Sequence, residues 1–152
     1  MKRLMALSML VVAALAASAE EKGKPMSQRA SGTFEVKLEP LAGDAFPRLA
    51  LKKDFHGDLE GTSAGEMMSV QSEGGSGAYV ALERFTGTLK GRKGSFVLVH
   101  SGTMRRGGDF QMIIRVVPDS GTEALAGIAG TLEIVIEGSK HSYHLEYSLP
   151  ES

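Results

Sequence analysis

Glu83 and His100 are the two residues whose types and spacing fit proton chemistry. A carboxylate and an imidazole within reach of each other can donate or accept a proton, or orient the polar end of a ligand. Whether they meet depends on one hairpin. Residues 78–89 and 95–104 have the Val, Phe and Thr content of strands, and Gly91-Arg92-Lys93-Gly94 lies between them. An even loop over those four residues pairs Leu89 with Phe96, Phe85 with His100 and Glu83 with Gly102. Directly opposed side chains share a face. One face then carries Tyr79, Ala81, Glu83, Phe85, Leu89, Phe96, Leu98 and His100, and the other carries Val80, Leu82, Arg84, Thr86, Val97, Val99, Ser101 and Thr103. The aromatic residues all fall on the first face, which is therefore assigned inward. Glu83 and His100 become diagonal neighbours in apolar surroundings, where burial raises a carboxylate's pKa and a cation lowers it. Tyr79 adds a hydroxyl. The expected cavity lining is Tyr79, Glu83, Phe85, Phe96, Leu98 and His100, with no catalytic residue assigned. A plainer reading has Glu83 and His100 satisfying only each other, or lying outside in water. Extending the register across Arg105–Gly108 brings Arg115 to the inner face, although Phe110, Met112, Ile114 and Val116 form the more apolar alternative.

Other motifs carry less. Gly61-Thr62-Ser63-Ala64-Gly65 fits the spacing of a hydrolase nucleophile elbow, but no helix follows it, so a turn between strands is expected. Asp54, His56, Asp58 and Glu60 alternate along one strand as a solvent face does, and no metal site is assigned. His141 and His144 are three residues apart, which on a strand puts them on opposite faces. Met68 and Val70 are expected to fill core. There is no phosphate loop or dinucleotide fingerprint, and no cofactor is implied.

The elements that must hold these residues are strands. Two-residue alternation runs through Phe34-Val36-Leu38, Leu49-Leu51-Phe55-Leu59, Leu132-Ile134-Ile136 and Tyr143-Leu145-Tyr147-Leu149. Further strand-like runs are 65–72, 78–89, 95–104 and 109–118. Glycine-rich turns separate them, and with no Asn in the chain Gly supplies the left-handed turn positions. This makes eight strands joined mostly by hairpins. Closing such a sheet removes its adhesive edges, so an all-β, eight-stranded antiparallel barrel is expected, with a two-sheet sandwich as the alternative.

The chain has 152 residues, no Cys, 19 Gly and a formal net charge of −1. One domain fits that length. The charge removes the basic footprint of a nucleic-acid binder. The lack of cysteine removes disulfides, thiolate zinc sites and cysteine nucleophiles. Residues 1–19 have the order of a secretory signal peptide: Lys2-Arg3, an apolar run over Leu4–Ala17, then Ala17-Ser18-Ala19. That run is shorter than the ~20 residues of a membrane span, so no stable anchor is expected after cleavage. The expected organisation is signal peptide 1–19, leader 20–29 and barrel 30–150, placing the protein in the periplasm or outside the cell.

Several strings resemble a known family. They are Gly57-Asp58-Leu59-Glu60-Gly61-Thr62, the whole of Tyr79–Leu89, Gly94–Leu98 running into His100–Met104, and Val117–Thr122 with Leu125-Ala126-Gly127. Together the chain resembles a bacterial family of unknown function whose fold is similar to the allene oxide cyclase barrel. The resemblance implies an eight-stranded antiparallel barrel with a central cavity, related in shape to lipocalins. Members are often cytoplasmic, and the leader here departs from that pattern. Glu83, His100 and Tyr79 fall within the matching strings.

Three functions follow as expectations. The first is a binding module holding a small, largely apolar molecule in the cavity. The second is an isomerase or cyclase using Glu83 and His100 in that cavity. The third is an oligomerisation module with a filled barrel, which associates through Val80, Leu82, Val97 and Val99.

Overall fold

A computed structural model describes residues 26–43 and 45–150. The expected signal peptide and most of the expected leader lie outside the described residues. Eight strands close into an antiparallel barrel in sequence order: β1 (Gln28–Leu41), β2 (Arg48–Gly57), β3 (Leu59–Gln71), β4 (Gly77–Leu89), β5 (Arg92–Met104), β6 (Phe110–Val116), β7 (Ala129–Glu137) and β8 (Lys140–Ser148). β1 begins at Gln28, two residues ahead of the expected start of the barrel. Its other edge pairs with β8, which completes the closure.

The lumen holds the alternate positions that the sequence pattern marks as apolar. Phe34, Phe55, Phe85, Phe96, Leu98, Ile114, Leu132, Tyr143 and Leu145 belong to one buried cluster. Phe85 and Phe96 are direct partners across β4 and β5, with ring centroids 5.2 Å apart. Phe55 meets Phe85 and Tyr143 edge-on at 5.5 Å, the favoured arrangement for aromatic quadrupoles.

The two ends of the barrel differ. At one end lie the tight turns Gly57-Asp58 and Lys90-Gly91 and the long connection from Val117 to Ile128. Leu59, Leu89, Leu125 and Ile128 are buried there, and a one-turn 3-10 helix, Glu123–Leu125, brings Leu125 over Gly94. This end is packed shut. At the other end the lumen-facing side chains remain in contact with solvent.

Four expectations change. The β4–β5 hairpin turns on Lys90 and Gly91 alone, both left-handed (φ 47° and 81°), so Leu89 pairs with Arg92 and Phe85 with Phe96. A two-residue turn of this kind follows the natural strand twist. Leu89's partner moves by four residues, an even number, so every side chain keeps its expected face. Gly61–Gly65 is no turn: it lies inside β3, and the break falls earlier, at Gly57-Asp58. Met68 and Val70 face outward and are exposed, because Leu59, Ser63 and Met67 hold the lumen positions of that strand. Arg115 is exposed and faces outward, since Ile114 and Val116 take the lumen face of β6.

Candidate functional site

Glu83 lies mid-barrel on the lumen face of β4 and has no solvent exposure. Its direct partners are Gly65 on β3 and Leu98 on β5. Gly65 brings no side chain to the lumen, and across that position Lys53 of β2 reaches Glu83. Lys53 Nζ donates to Glu83 Oε2 at 2.8 Å, and Lys53 is 7% exposed. The ammonium also lies 4.8 Å from the ring centroid of Phe34 and 5.8 Å from that of Phe55, so aromatic faces supply part of its lost hydration. Ser63 Oγ donates to Glu83 Oε1.

His100 meets Glu83 as the alternation requires, from the diagonal position beside Leu98. Its Nε2 stands 2.9 Å from Glu83 Oε2. The ring N–H direction misses the carboxylate, so this buried nitrogen lies close to Glu83 without an aligned hydrogen bond. Burial alone would push the Glu83 carboxyl up. His100, the charge and hydrogen bond of Lys53, and the Ser63 hydroxyl outweigh it and hold the carboxyl down at about 2. Glu83 is thus a fixed carboxylate at neutral pH, with both oxygens engaged.

Of the six expected lining residues, Glu83, Phe85, Phe96, Leu98 and His100 are buried and packed against one another or against their neighbours. Tyr79 is half-buried higher in the lumen and borders an open cavity of about 330 Å³ with Met67, Met104 and Phe110. Its ring stacks on Phe110 at 6.4 Å and covers Gly102, where an added Cβ would lie 2.3 Å from Tyr79 Cε1. Burial first, then the Glu83 charge, raises the Tyr79 pKa. Around this end Leu38 is 50% exposed, Met104 45%, Phe110 54% and Ile136 61%. All four occupy lumen-facing positions of their strands, so the barrel opens through an apolar rim.

The chain is similar to known proteins over most of its length. The model of the family described as "Protein of unknown function (DUF3224)" matches residues 22–147. The chain belongs to this family. A solved structure of a DUF3224 protein of unknown function from Shewanella oneidensis MR-1 is 38% identical, with a TM-score of 0.77, over 83% of this chain and 100% of that one. No curated protein matches. The barrel is therefore the family's architecture, and the family description assigns it no activity.

One more opening lies in the wall of this DUF3224 barrel. β6 and β7 share a single residue pair, Arg115 with Thr131, whereas β7 and β8 share nine. Where the ladder is missing, a cavity of about 610 Å³ is bordered by Met112, Ile114, Leu132 and Ile134 of the lumen face and, on the outer face, by Ile113 and a set of polar and charged residues that includes Arg29, Arg115, Glu133 and His144. The slot and the end cavity share no lining residue.

Sequence reasoning missed Lys53 and Ser63. The signal was present: Lys53 stands in phase with Leu51 and Phe55, and Ser63 in phase with Leu59, so each is a polar residue at a lumen position. On the outer face of β2, His56 Nε2 lies 2.7 Å from Glu35 Oε2 of β1, within hydrogen-bond distance. Among the described residues no cluster of three or more His, Asp or Glu is placed to hold a metal. His141 and His144 face opposite sides, as their spacing requires.

Proposed function

We propose that this protein is an exported, non-enzymatic binding barrel that holds a small, largely apolar molecule in its open end. One observation carries the reading. Lumen-facing apolar side chains at that end, among them Leu38, Met104, Phe110 and Ile136, remain exposed while the opposite end is sealed. A barrel built only as a filled scaffold would bury them, since exposing apolar surface costs about 25 cal/mol per Å². Concave apolar sites of about 300–1,000 Å³ with a few polar groups are the usual form of a ligand pocket, and the end cavity, about 330 Å³, falls in that range. Tyr79 supplies a polar group at the rim. Glu83 favours binding over proton chemistry, because Lys53, Ser63 and His100 already occupy its oxygens. The leader sequence supports export.

Native mass spectrometry of the purified protein, with thermal shifts across a lipid and aromatic panel, tests the proposal. A co-purifying apolar molecule, or a shift abolished by Phe110→Lys with Met104→Lys, is the expected result. A reproducibly empty barrel that no member of the panel stabilises overturns it.

A further inference from the structure

The outer wall of β3–β6 carries an apolar patch that touches the end cavity only at Val70 and the side slot only at Ile113. Met68, Val70, Val80, Leu82, Val99 and Ile113 are all exposed there. The register makes them contiguous. Met68, Val80, Ser101 and Ile113 form one row across the four strands, and Glu66, Leu82, Val99 and Arg115 form the next. Patches of this extent on a folded surface mark interaction sites.

The second row says what fits. Its charges are opposite at the two ends, with apolar residues between: acidic Glu66, Leu82, Val99, basic Arg115. A two-fold axis lying in the contact plane, parallel to the strands and between β4 and β5, reverses such a row on itself. Leu82 then meets Val99 of a second copy, Met68 meets Ile113, and Glu66 meets Arg115, each contact occurring twice. A self-complementary row is the requirement for an isologous dimer. Glu66 already pairs with Arg48, but that pair is exposed and leaves the carboxylate open to a second cation. Arg115 has no ion-pair partner among the described residues. Val97 is half-buried beneath the β6–β7 connection, where Ser120 Oγ accepts from Val97 N at 3.0 Å, so it lies at the margin of the contact. We propose that this face joins two copies of the chain through the Leu82–Val99 centre, with Glu66 and Arg115 closing the two sides.

Analytical ultracentrifugation and native mass spectrometry of the purified protein test this, because the charge pattern predicts a result that no other occupant of the face would give. The wild type is expected to be dimeric at about 100 μM. Leu82→Lys gives a folded monomer. Glu66→Lys and Arg115→Glu each bring like charges together and weaken the dimer about tenfold or more. Mixed one to one, these two variants form a heterodimer, since both of its charge pairs are then opposite in sign. A wild-type monomer at this concentration overturns the proposal, as does a dimer indifferent to Leu82→Lys. Charge variants that do not weaken the dimer, or that fail to pair on mixing, overturn it equally.

Discussion

Lys53 and Glu83 are joined across the lumen from strands that do not touch in the sheet, with β3 between them. The link ties the β1–β2 side of the barrel to the β4–β5 side through its interior. The diagonal crosses β3 between Ser63, opposite Lys53, and Gly65, opposite Glu83, so no large side chain stands in its way, and the faces of Phe34 and Phe55 replace part of the ammonium's hydration.

Removing one partner strands the other. Lys53→Met leaves a carboxylate at zero exposure with only Ser63 and His100, and breaking a buried pair this way costs about 3–5 kcal/mol. Lys53→Met with Glu83→Met removes both charges together and is expected to lose less than either single change. Urea unfolding of the three variants gives the comparison. If the double variant loses the sum of the singles, the two groups do not act as a pair.

Stability should fall in acid through Glu83. Its carboxyl drops from an ordinary 4.5 to about 2 in the folded barrel. A depressed pKa means that the unfolded chain takes up the proton first, so the stabilisation is fully present above pH 4.5 and is lost as pH falls toward about 2. The loss over that window is about 3 kcal/mol. Glu83→Gln removes the counter-charge of Lys53 and so lowers stability overall, but it should flatten the urea midpoint against pH in the same window. An unchanged slope in that variant would assign the acid sensitivity to other carboxylates.

Tyr79 and Gly102 are direct cross-strand partners, and the ring occupies the space a side chain at 102 would need. Gly102→Ala should therefore displace Tyr79 and cost about 1–3 kcal/mol. Tyr79→Ser in the same chain removes the obstacle, so the double variant should lose less stability than the two single changes together. Additive losses in thermal melts would mean that the ring is free to move aside.

Alternation made the barrel legible. Eight strands, the inward face of β4 and β5, and the meeting of Glu83 with His100 all follow from two-residue periodicity and from the parity of a hairpin. Parity keeps both residues on the lumen face, and their contact survives a register displaced by four residues because His100 lies two residues from Gly102, the expected partner of Glu83, and two from Leu98, the observed one. What alternation could not supply was distance around the barrel. Ser63 reaches Glu83 from the adjacent strand and Lys53 from the next but one, and the curvature of the sheet turns the lumen faces of β2 and β4 toward each other across β3. Met68 and Val70 mislead for the opposite reason: an apolar residue reads as core wherever it falls, and here it lies on a wall whose outer face is itself apolar.

The turn at Lys90-Gly91 offers the most direct test of that register. Both central residues are left-handed, and Lys90 carries a side chain at φ 47°, a conformation that costs an ordinary L-residue about 1–2 kcal/mol. Asn tolerates it, and Asn-Gly is the preferred pair for this turn. Lys90→Asn should therefore stabilise the protein by about 0.5–1 kcal/mol with no new contact. The four-residue loop expected from Gly91–Gly94 would place Lys90 at a strand end in extended backbone, where Asn is a poorer strand residue than Lys, and the same substitution would destabilise. The sign of the change in urea midpoint distinguishes the two registers, because the side chain itself is exposed and packs against nothing that would confuse the reading.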